Sequence, residues 1–239
     1  MNEAAQLAAR TPLASKAYGY KNTARIVGIL YIIGTFAGVL SVPFLKIRNE
    51  PDYLTRIAEN PNLLITGALL VLIMAFALAL IPMFMFPVLR KYSEPAGIGY
   101  VIFRGALETG TYIISVICYL ELASLAVLAA TGTSDSAHFL AIGTTLNTIA
   151  DLPVGAFVFG IGALIFYIAL YRYRLIPRWL SALGLIAVLL HIASGALVLF
   201  GLQEAFDTGS LSMNLPIALQ EMVMAVWLII KGFQISEAD

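Results

Sequence analysis

Six long apolar runs occupy most of this 239-residue sequence, and several exceed the roughly 18 residues that mark a membrane-spanning helix. Charged residues make up only 12% of the chain, about half the share expected of a soluble domain. The sequence therefore predicts an all-α, polytopic membrane protein that folds as one bundle of six transmembrane helices. The predicted spans are Ala24–Leu45, Leu63–Leu89, Ile98–Ala130, Leu152–Tyr171, Trp179–Leu202 and Leu215–Lys231.

These spans divide the chain into three parts. Residues 1–23 are predicted to be a polar cytoplasmic segment, 24–232 the six-helix transmembrane domain, and 233–239 a short cytoplasmic tail. The first apolar run is as long as a full span and lacks a small-residue cleavage site, so it is expected to stay as an uncleaved first helix. The polar loops are too short to bury a core of their own.

The lysines and arginines between the spans predict the orientation of the bundle. Ten of them fall on the side of the N-terminus, and three, Lys46, Arg48 and Arg56, fall on the other side. Because cytoplasmic loops carry the excess of positive charge, both termini are expected in the cytoplasm. The net charge of the chain is zero, so no nucleic-acid partner is expected.

The third run contains two charges four residues apart, Arg104 and Glu108. On a helical wheel they share one face with a stripe of smaller polar residues at Thr111, Ser115 and Cys118. Residues at this spacing can pair, and a lone charge at mid-bilayer costs at least about 2.5–3.5 kcal/mol. The stripe is therefore predicted to face other helices rather than lipid.

Two further ionisable residues lie in apolar runs, His191 in the fifth and Glu221 in the sixth. At about 1.5 Å of helical rise per residue, all four groups fall about 9 to 21 Å from the cytoplasmic end of a roughly 30 Å core. Ionisable residues at this depth are functional candidates by default. The sequence therefore predicts a ligand-binding site lined by Arg104, Glu108, His191 and Glu221.

Three functions remain open at this point. In a binding or transport protein, Arg104 would hold an anionic or polar group, the glutamates would accept hydrogen bonds or protons, and His191 would titrate near neutral pH. In an intramembrane enzyme acting on lipid or quinone, His191 or a glutamate would be the general base. In a structural or accessory subunit, the charges would only hold helices together. No motif names catalytic residues or a cofactor, so whether the chain is an enzyme stays open.

A metal site is not expected, because Arg104 would repel a cation and the sequence has no HExxH motif. Other polar positions have simpler interpretations. Asp151 precedes Leu-Pro at a predicted helix start and is expected to cap that helix. Gln220 lies about 100° from Glu221 on the wheel, so it should face a different neighbour. Gly34 and Gly38 form a GxxxG pair, which predicts a close helix contact.

Four segments of the sequence, ARIVGILYIIGTFAGVLS, FPVLRK, GYVIFRGALE and LIPRWLSALGL, together resemble a family of bacterial membrane proteins known as DUF4386, a domain of unknown function. The likeness extends over about Ala24 to Lys231. It implies a multi-pass protein of the bacterial inner membrane and carries over no activity or functional residue. The expected partners are the lipid bilayer, a small-molecule or lipid ligand, and a second copy of the chain or another membrane subunit.

Overall fold

The computed structural model describes residues 3–132, 136–204 and 207–234, and within these ranges it contains helices and turns but no strand. A 3-10 turn at Lys46–Asn49 follows the first helix, and a π-helical segment, Val101–Leu107, joins the fourth helix to the fifth. The helices are α1 (Glu3–Leu45), α2 (Tyr53–Glu59), α3 (Pro61–Tyr92), α4 (Glu94–Tyr100), α5 (Glu108–Thr131), α6 (Ser136–Ala150), α7 (Val154–Arg172), α8 (Arg178–Leu199) and α9 (Thr208–Ile230).

The predicted all-helical fold with six spans is confirmed. Among the described residues six helices are long and apolar enough to cross a membrane, and they contain the first four predicted runs. The fifth and sixth runs, Trp179–Leu202 and Leu215–Lys231, extend past the ends of their helices by three residues and by one. The third span, Glu94–Thr131, is the longest at 38 residues and combines α4, the π-helical segment and α5. Helix α1 begins at Glu3, so most of the polar segment predicted at 1–23 continues into the first span as helix.

The six spans form a closed ring in chain order. Helix α1 packs on α3, α3 on α5, the third span on α7, α7 on α8, and α8 on α9, while α9 returns to α1. One end of the ring, where α3 ends and α8 begins, carries Arg90, Lys91 and Arg178; we call it the basic end. The other, where α1 ends and α9 begins, is the far end.

Small residues allow close contacts between neighbouring spans, as the sequence predicts. A Cβ atom on Gly34 would lie 2.9 Å from the side chain of Leu78, so α1 and α3 meet closely at this GxxxG pair. A Cβ atom on Gly195 would lie 2.7 Å from that of Ala156, which brings α8 equally close to α7. Since lipid tails are as apolar as these helices, such close packing is a main source of their association.

The far end differs from its prediction in two respects. The segment predicted as a polar loop at 131–151 is mostly helix α6, which packs against α5. Asp151 does not cap α7, whose N-cap position is Pro153. Instead the Asp151 carboxylate accepts two hydrogen bonds from Arg48, Nη1 at 2.8 Å and Nη2 at 2.6 Å. A buried guanidinium placed within reach is a stronger partner for this carboxylate than a single backbone N–H.

Candidate functional site

Arg104 lies in the π-helical segment and reaches into the centre of the ring, where its side chain is 2% exposed. Its Nη1 donates to both carboxylate oxygens of Glu108 at 3.0 Å. Its Nη2 donates to Oε1 of Glu221 at 3.1 Å. Arg104 thus forms ion pairs with two carboxylates, and we call these three residues the Arg104 cluster.

The cluster connects helices that are opposite each other in the ring. Glu108 is on the same span as Arg104, the third, whereas Glu221 is on α9, the sixth. The Glu108 side chain is 1% exposed and that of Glu221 is 13% exposed, so neither carboxylate is in bulk water. Because the six spans close into one ring, the contact between Arg104 and Glu221 crosses its centre.

Aromatic side chains surround the guanidinium. The Phe159 ring centroid lies 4.5 Å from Cζ of Arg104, and that of Tyr31 lies 5.9 Å away, which places both rings within cation–π range. The Tyr112 hydroxyl donates to Oε1 of Glu108 at 3.2 Å. The remaining nitrogen of Arg104, Nε, is buried and has no hydrogen-bond partner. The site therefore holds a charge in a largely dry, aromatic environment.

His191, the fourth predicted site residue, is not part of this ion cluster. Its Nδ1 atom lies 2.7 Å from Oδ1 of Asn214 on α9. The Phe159 ring is 4.8 Å from the His191 ring, edge to face, and the same phenyl ring contacts Arg104. Three of the four predicted residues are hydrogen-bonded together, and the fourth shares with them a contact to the same phenyl ring.

The stripe predicted on the third span does face neighbouring helices, but the hydroxyl groups of its smaller residues donate hydrogen bonds to backbone carbonyl oxygens. Thr111 donates to the carbonyl oxygen of Glu108 at 2.7 Å, and Ser115 donates to that of Ala150 at 2.9 Å. Cys118 is buried, while Glu121, further along the same helix, is exposed. Between Glu108 and the far end, therefore, the stripe links α5 to α6 through Ser115 and does not extend the charged site.

Gln220 faces a different neighbour from Glu221, as predicted. It accepts a hydrogen bond from the Tyr167 hydroxyl at 2.5 Å and donates to the carbonyl oxygen of Leu180 at 3.0 Å. On the same side of the cluster the hydroxyls of Tyr31 and Tyr100 lie 3.2 Å apart. These fully buried polar groups satisfy one another and fix the rings that surround Arg104.

The local chain path explains how Arg104 reaches the centre. In the π-helical segment the backbone N–H of Glu108 bonds to the carbonyl oxygen of Phe103, which makes a wider turn than an α-helix. Gly162 on α7 lets that helix pass close by, since a Cβ atom there would lie 3.1 Å from the backbone nitrogen of Arg104. On the other flank Gly105 packs against Pro82, one of two prolines inside α3. Such π-helical turns often mark functional sites.

The described residues offer no metal site, and a cavity lies away from the cluster. Among the described residues no three of the types His, Cys, Asp and Glu lie close enough together to hold a metal ion. A cavity of about 770 Å³ lies instead at the far end, between α2, the end of α5 and the start of α6, and residues such as Tyr53, Ala126 and Phe139 line it. None of the four predicted site residues borders that cavity.

Several residues of the site were missed by the sequence analysis. Tyr112 follows Glu108 by four residues and Asn214 precedes Glu221 by seven, so the wheel that found the charges could have placed both on the same faces. Phe159 carries no such signal, because it is one apolar residue among many in its span.

The family described as domain of unknown function, DUF4386, matches residues 26–232, which is most of the chain. No curated protein and no solved structure matches the sequence. The predicted resemblance is therefore confirmed over the whole transmembrane bundle, including every residue of the Arg104 cluster.

Proposed function

The chain belongs to the DUF4386 family, whose description assigns no activity, and on that premise we propose that it binds a small anion at Arg104 together with a proton. The role is of the transport type: the anion takes the place of one glutamate on the guanidinium, and that glutamate takes up a proton. We propose the location that the resemblance implies, the inner membrane of a bacterium, with both termini in the cytoplasm as the loop charges predict.

The observation that carries this proposal is the charge count of the Arg104 cluster. One guanidinium contacts two carboxylates, and the ion pairs of Glu108 and Glu221 within the described residues are both with Arg104. His191 bonds to Asn214 and has no ion pair with the cluster among the described residues. With both glutamates ionised, the cluster would carry an unbalanced negative charge away from water, which is strongly unfavourable. We therefore expect one of the two carboxyl groups to hold a proton.

The same balance of charges predicts that anion binding is coupled to proton uptake. At rest Arg104 balances one carboxylate and a proton neutralises the other. When an anion enters and pairs with the guanidinium, the carboxylate that it displaces is left unbalanced, so the cluster takes up one further proton. The affinity for the anion should accordingly fall as the pH rises, by up to about tenfold per pH unit.

The test is the melting temperature of the purified protein in detergent, with acetate or benzoate, which are monoanions at either pH, added at pH 6 and at pH 8. We expect an added anion to raise the melting temperature, more at pH 6 than at pH 8, since a ligand at 100 times its Kd stabilises by about 2.7 kcal/mol. In the double variant Glu108→Gln with Glu221→Gln, the guanidinium has lost both carboxylates. Its stabilisation by anions should be larger and should no longer depend on pH. The matched control is Glu94→Gln, because Glu94 is largely exposed and pairs with Arg90 at the basic end.

A second role, a purely structural one in which the charges only hold helices together, is favoured by one specific observation. Both terminal nitrogens of Arg104 are already occupied, one by the third span and one by the sixth. A structural cluster needs no ligand. In that case no anion should stabilise even the double variant Glu108→Gln with Glu221→Gln, in which the guanidinium is unpaired. That outcome would rule out the binding role and leave the structural one.

A further inference from the structure

The inner face of α9 carries a line of polar residues from the far end to the Arg104 cluster. Asp207, Ser210, Asn214 and Glu221 follow one another at spacings of three, four and seven residues, which places them on one face of a helix. Asp207 accepts a hydrogen bond from the backbone N–H of Ser210 at 2.6 Å and so caps the start of α9. Residues of this kind are rare inside apolar spans, so their alignment needs an explanation.

Helix α8 presents matching polar side chains to this line. The hydroxyl oxygens of Ser194 and Ser210 lie 3.2 Å apart, and both hydroxyls accept hydrogen bonds from Nδ2 of Asn214, at 3.4 Å and 3.3 Å. The amide oxygen of Asn214 contacts the His191 ring. We call these four residues, His191, Ser194, Ser210 and Asn214, the α8–α9 seam.

Other seams of the ring are held by a different kind of contact. Gly38 packs on Met74 between α1 and α3, Gly160 on Ile192 between α7 and α8, and Gly28 on the carbonyl oxygen of Ala225 between α1 and α9. None of the described glycines makes such a contact between α8 and α9. Water can replace long hydrogen bonds between side chains at little cost, but it cannot replace close apolar packing. The α8–α9 seam is therefore the part of the ring that water can enter most easily.

The two directions from the cluster are unequal. Toward the far end the seam continues through hydroxyl and amide groups to Asp207, which is partly exposed. Toward the basic end the polar groups are buried and paired, as Gln220 is with Tyr167 and with the carbonyl oxygen of Leu180. Large apolar side chains that are fully buried also lie there, including Leu89, Leu175, Ile176 and Leu228. At the inner end of the seam the Phe159 ring contacts both His191 and Arg104. A hydrated seam would thus lead from the far end to the cluster and stop there.

We propose that the α8–α9 seam is the entry route by which a small anion and its proton reach Arg104 from the far end. His191 and Asn214 form a hydrogen-bonding subsite beside the Phe159 ring, which also contacts the guanidinium. The proposal rests on the proposed function, because an entry route has a purpose only if the cluster binds a solute.

The test is chemical access to an introduced cysteine. The chain has a single cysteine, Cys118, which is buried, so Cys118→Ala provides a cysteine-free background. In that background Asn214→Cys is treated with a small, negatively charged, membrane-impermeant methanethiosulfonate from either side of sealed vesicles. We expect modification from the far end to be faster than from the basic end by about tenfold or more, a difference of about 1.4 kcal/mol in barrier. Ser194→Cys repeats the measurement from the other helix, should Asn214→Cys fail to fold.

Three further cysteines serve as controls. Val223→Cys is the matched control on α9, because Val223 is exposed on the outer surface of the bundle, where lipid excludes a charged reagent. Thr55→Cys and Lys91→Cys, on exposed residues of the far end and the basic end, report which side of the vesicle each end faces. They test the predicted orientation at the same time.

The outcomes separate the route from the proposed function. If Asn214→Cys and Ser194→Cys both fold and neither reacts from the far end faster than Val223→Cys does, the route is wrong. If they react faster from the basic end, the route is also wrong, and anion binding at Arg104 is unaffected by that result. If they react from the far end as expected but no anion stabilises the wild type or the double glutamate variant, the seam admits solute and the proposed function falls.

Discussion

Among the described residues two arginines are buried, Arg104 at the centre of the ring and Arg48 at the far end. Their side chains are 2% and 3% exposed. Each has a buried Nε without a hydrogen-bond partner, and each lies over an aromatic ring, Phe159 at 4.5 Å and Tyr119 at 5.1 Å. Judged by burial and surroundings alone, the two would be expected to have the same role.

Their carboxylate partners differ. Arg48 has one, Asp151, which it holds with both terminal nitrogens, and Asn147 completes the contact with an amide. Arg104 divides its terminal nitrogens between Glu108 and Glu221, which are on opposite sides of the ring. The first arrangement is electrically balanced and the second is not. A balanced pair needs nothing further, whereas a cluster with one carboxylate in excess must bind a proton or another cation. The comparison teaches that charge balance, more than burial, distinguishes a candidate binding site from a purely structural ion pair.

The largest effect is expected at the central arginine. Arg104→Ala leaves one buried carboxylate unbalanced and two buried carboxyl groups without their hydrogen-bond donor, and it should destabilise the protein by about 3–5 kcal/mol. The triple variant Arg104→Met, Glu108→Leu and Glu221→Leu removes all three charges and should melt at a higher temperature than Arg104→Ala alone. Melting in detergent checks both, and an Arg104→Ala protein as stable as the wild type would mean that the cluster is not buried.

A smaller loss is expected at the far end. Arg48→Ala leaves Asp151, whose side chain is 31% exposed and can be hydrated, so we expect destabilisation by about 1–3 kcal/mol. Because the pair is balanced, anion-dependent stabilisation measured at pH 6 and pH 8 should match that of the wild type. Loss of the anion response in Arg48→Ala would remove the distinction between the two arginines.

The approach of α7 to the central arginine gives a finer test. A Cβ atom at Gly162 would meet the backbone nitrogen of Arg104 at 3.1 Å, so Gly162→Ala should destabilise by about 1 kcal/mol and should weaken anion binding by shifting Arg104. Gly110→Ala is the matched control, since a Cβ atom there meets nothing within 4 Å and alanine favours the helix. Equal melting temperatures and anion responses for the two variants would contradict this account of how Arg104 is positioned.

The smallest effect is expected for an exposed pair at the far end. Nε of Arg56 lies 2.7 Å from Oδ1 of Asp52, closer than any Arg104 contact, but both side chains are more than half exposed. The hydrogen bond from Arg56 lowers the pKa of Asp52 from its usual value. Water screens such pairs, so Asp52→Asn should leave the melting temperature and the anion response unchanged. A large drop in melting temperature would show that exposure is a poor guide to the importance of an ion pair here.

The spans and the central pair could be predicted from sequence because both depend on local spacing. Apolar length determines which segments cross, and the i, i+4 spacing brings Arg104 and Glu108 to one face. Depth alone predicts Glu221 and places His191 in the same set, although His191 bonds to Asn214 rather than to the cluster. Depth along a helix says nothing about which neighbour a side chain bonds to.

The remainder depends on contacts between distant parts of the chain. The sequence predicts Arg48 to be a loop cation and Asp151 to be a helix cap. The two residues are 103 positions apart, so no local pattern indicates that they pair. The sequence predicts a loop where α6 lies, because the segment is short and follows turn residues. The full or partial burial of Gly143, Leu146 and Ala150 on one face of α6 depends on its packing against α5. The π-helical segment likewise depends on how closely α3 and α7 approach Arg104, and spacing within one helix cannot reveal that.

The central claim is that the Arg104 cluster carries one proton at rest, and infrared spectroscopy of the purified protein at neutral pH tests it most directly. A protonated carboxyl group absorbs apart from carboxylates, so the wild type should show one buried carboxylic-acid band. Glu221→Gln and Glu108→Gln should each abolish it, because the remaining carboxylate is then balanced by Arg104. Arg104→Met should increase the band, and Asp151→Asn should leave it unchanged. A wild type without such a band, or a band that survives both glutamine substitutions, would contradict the account.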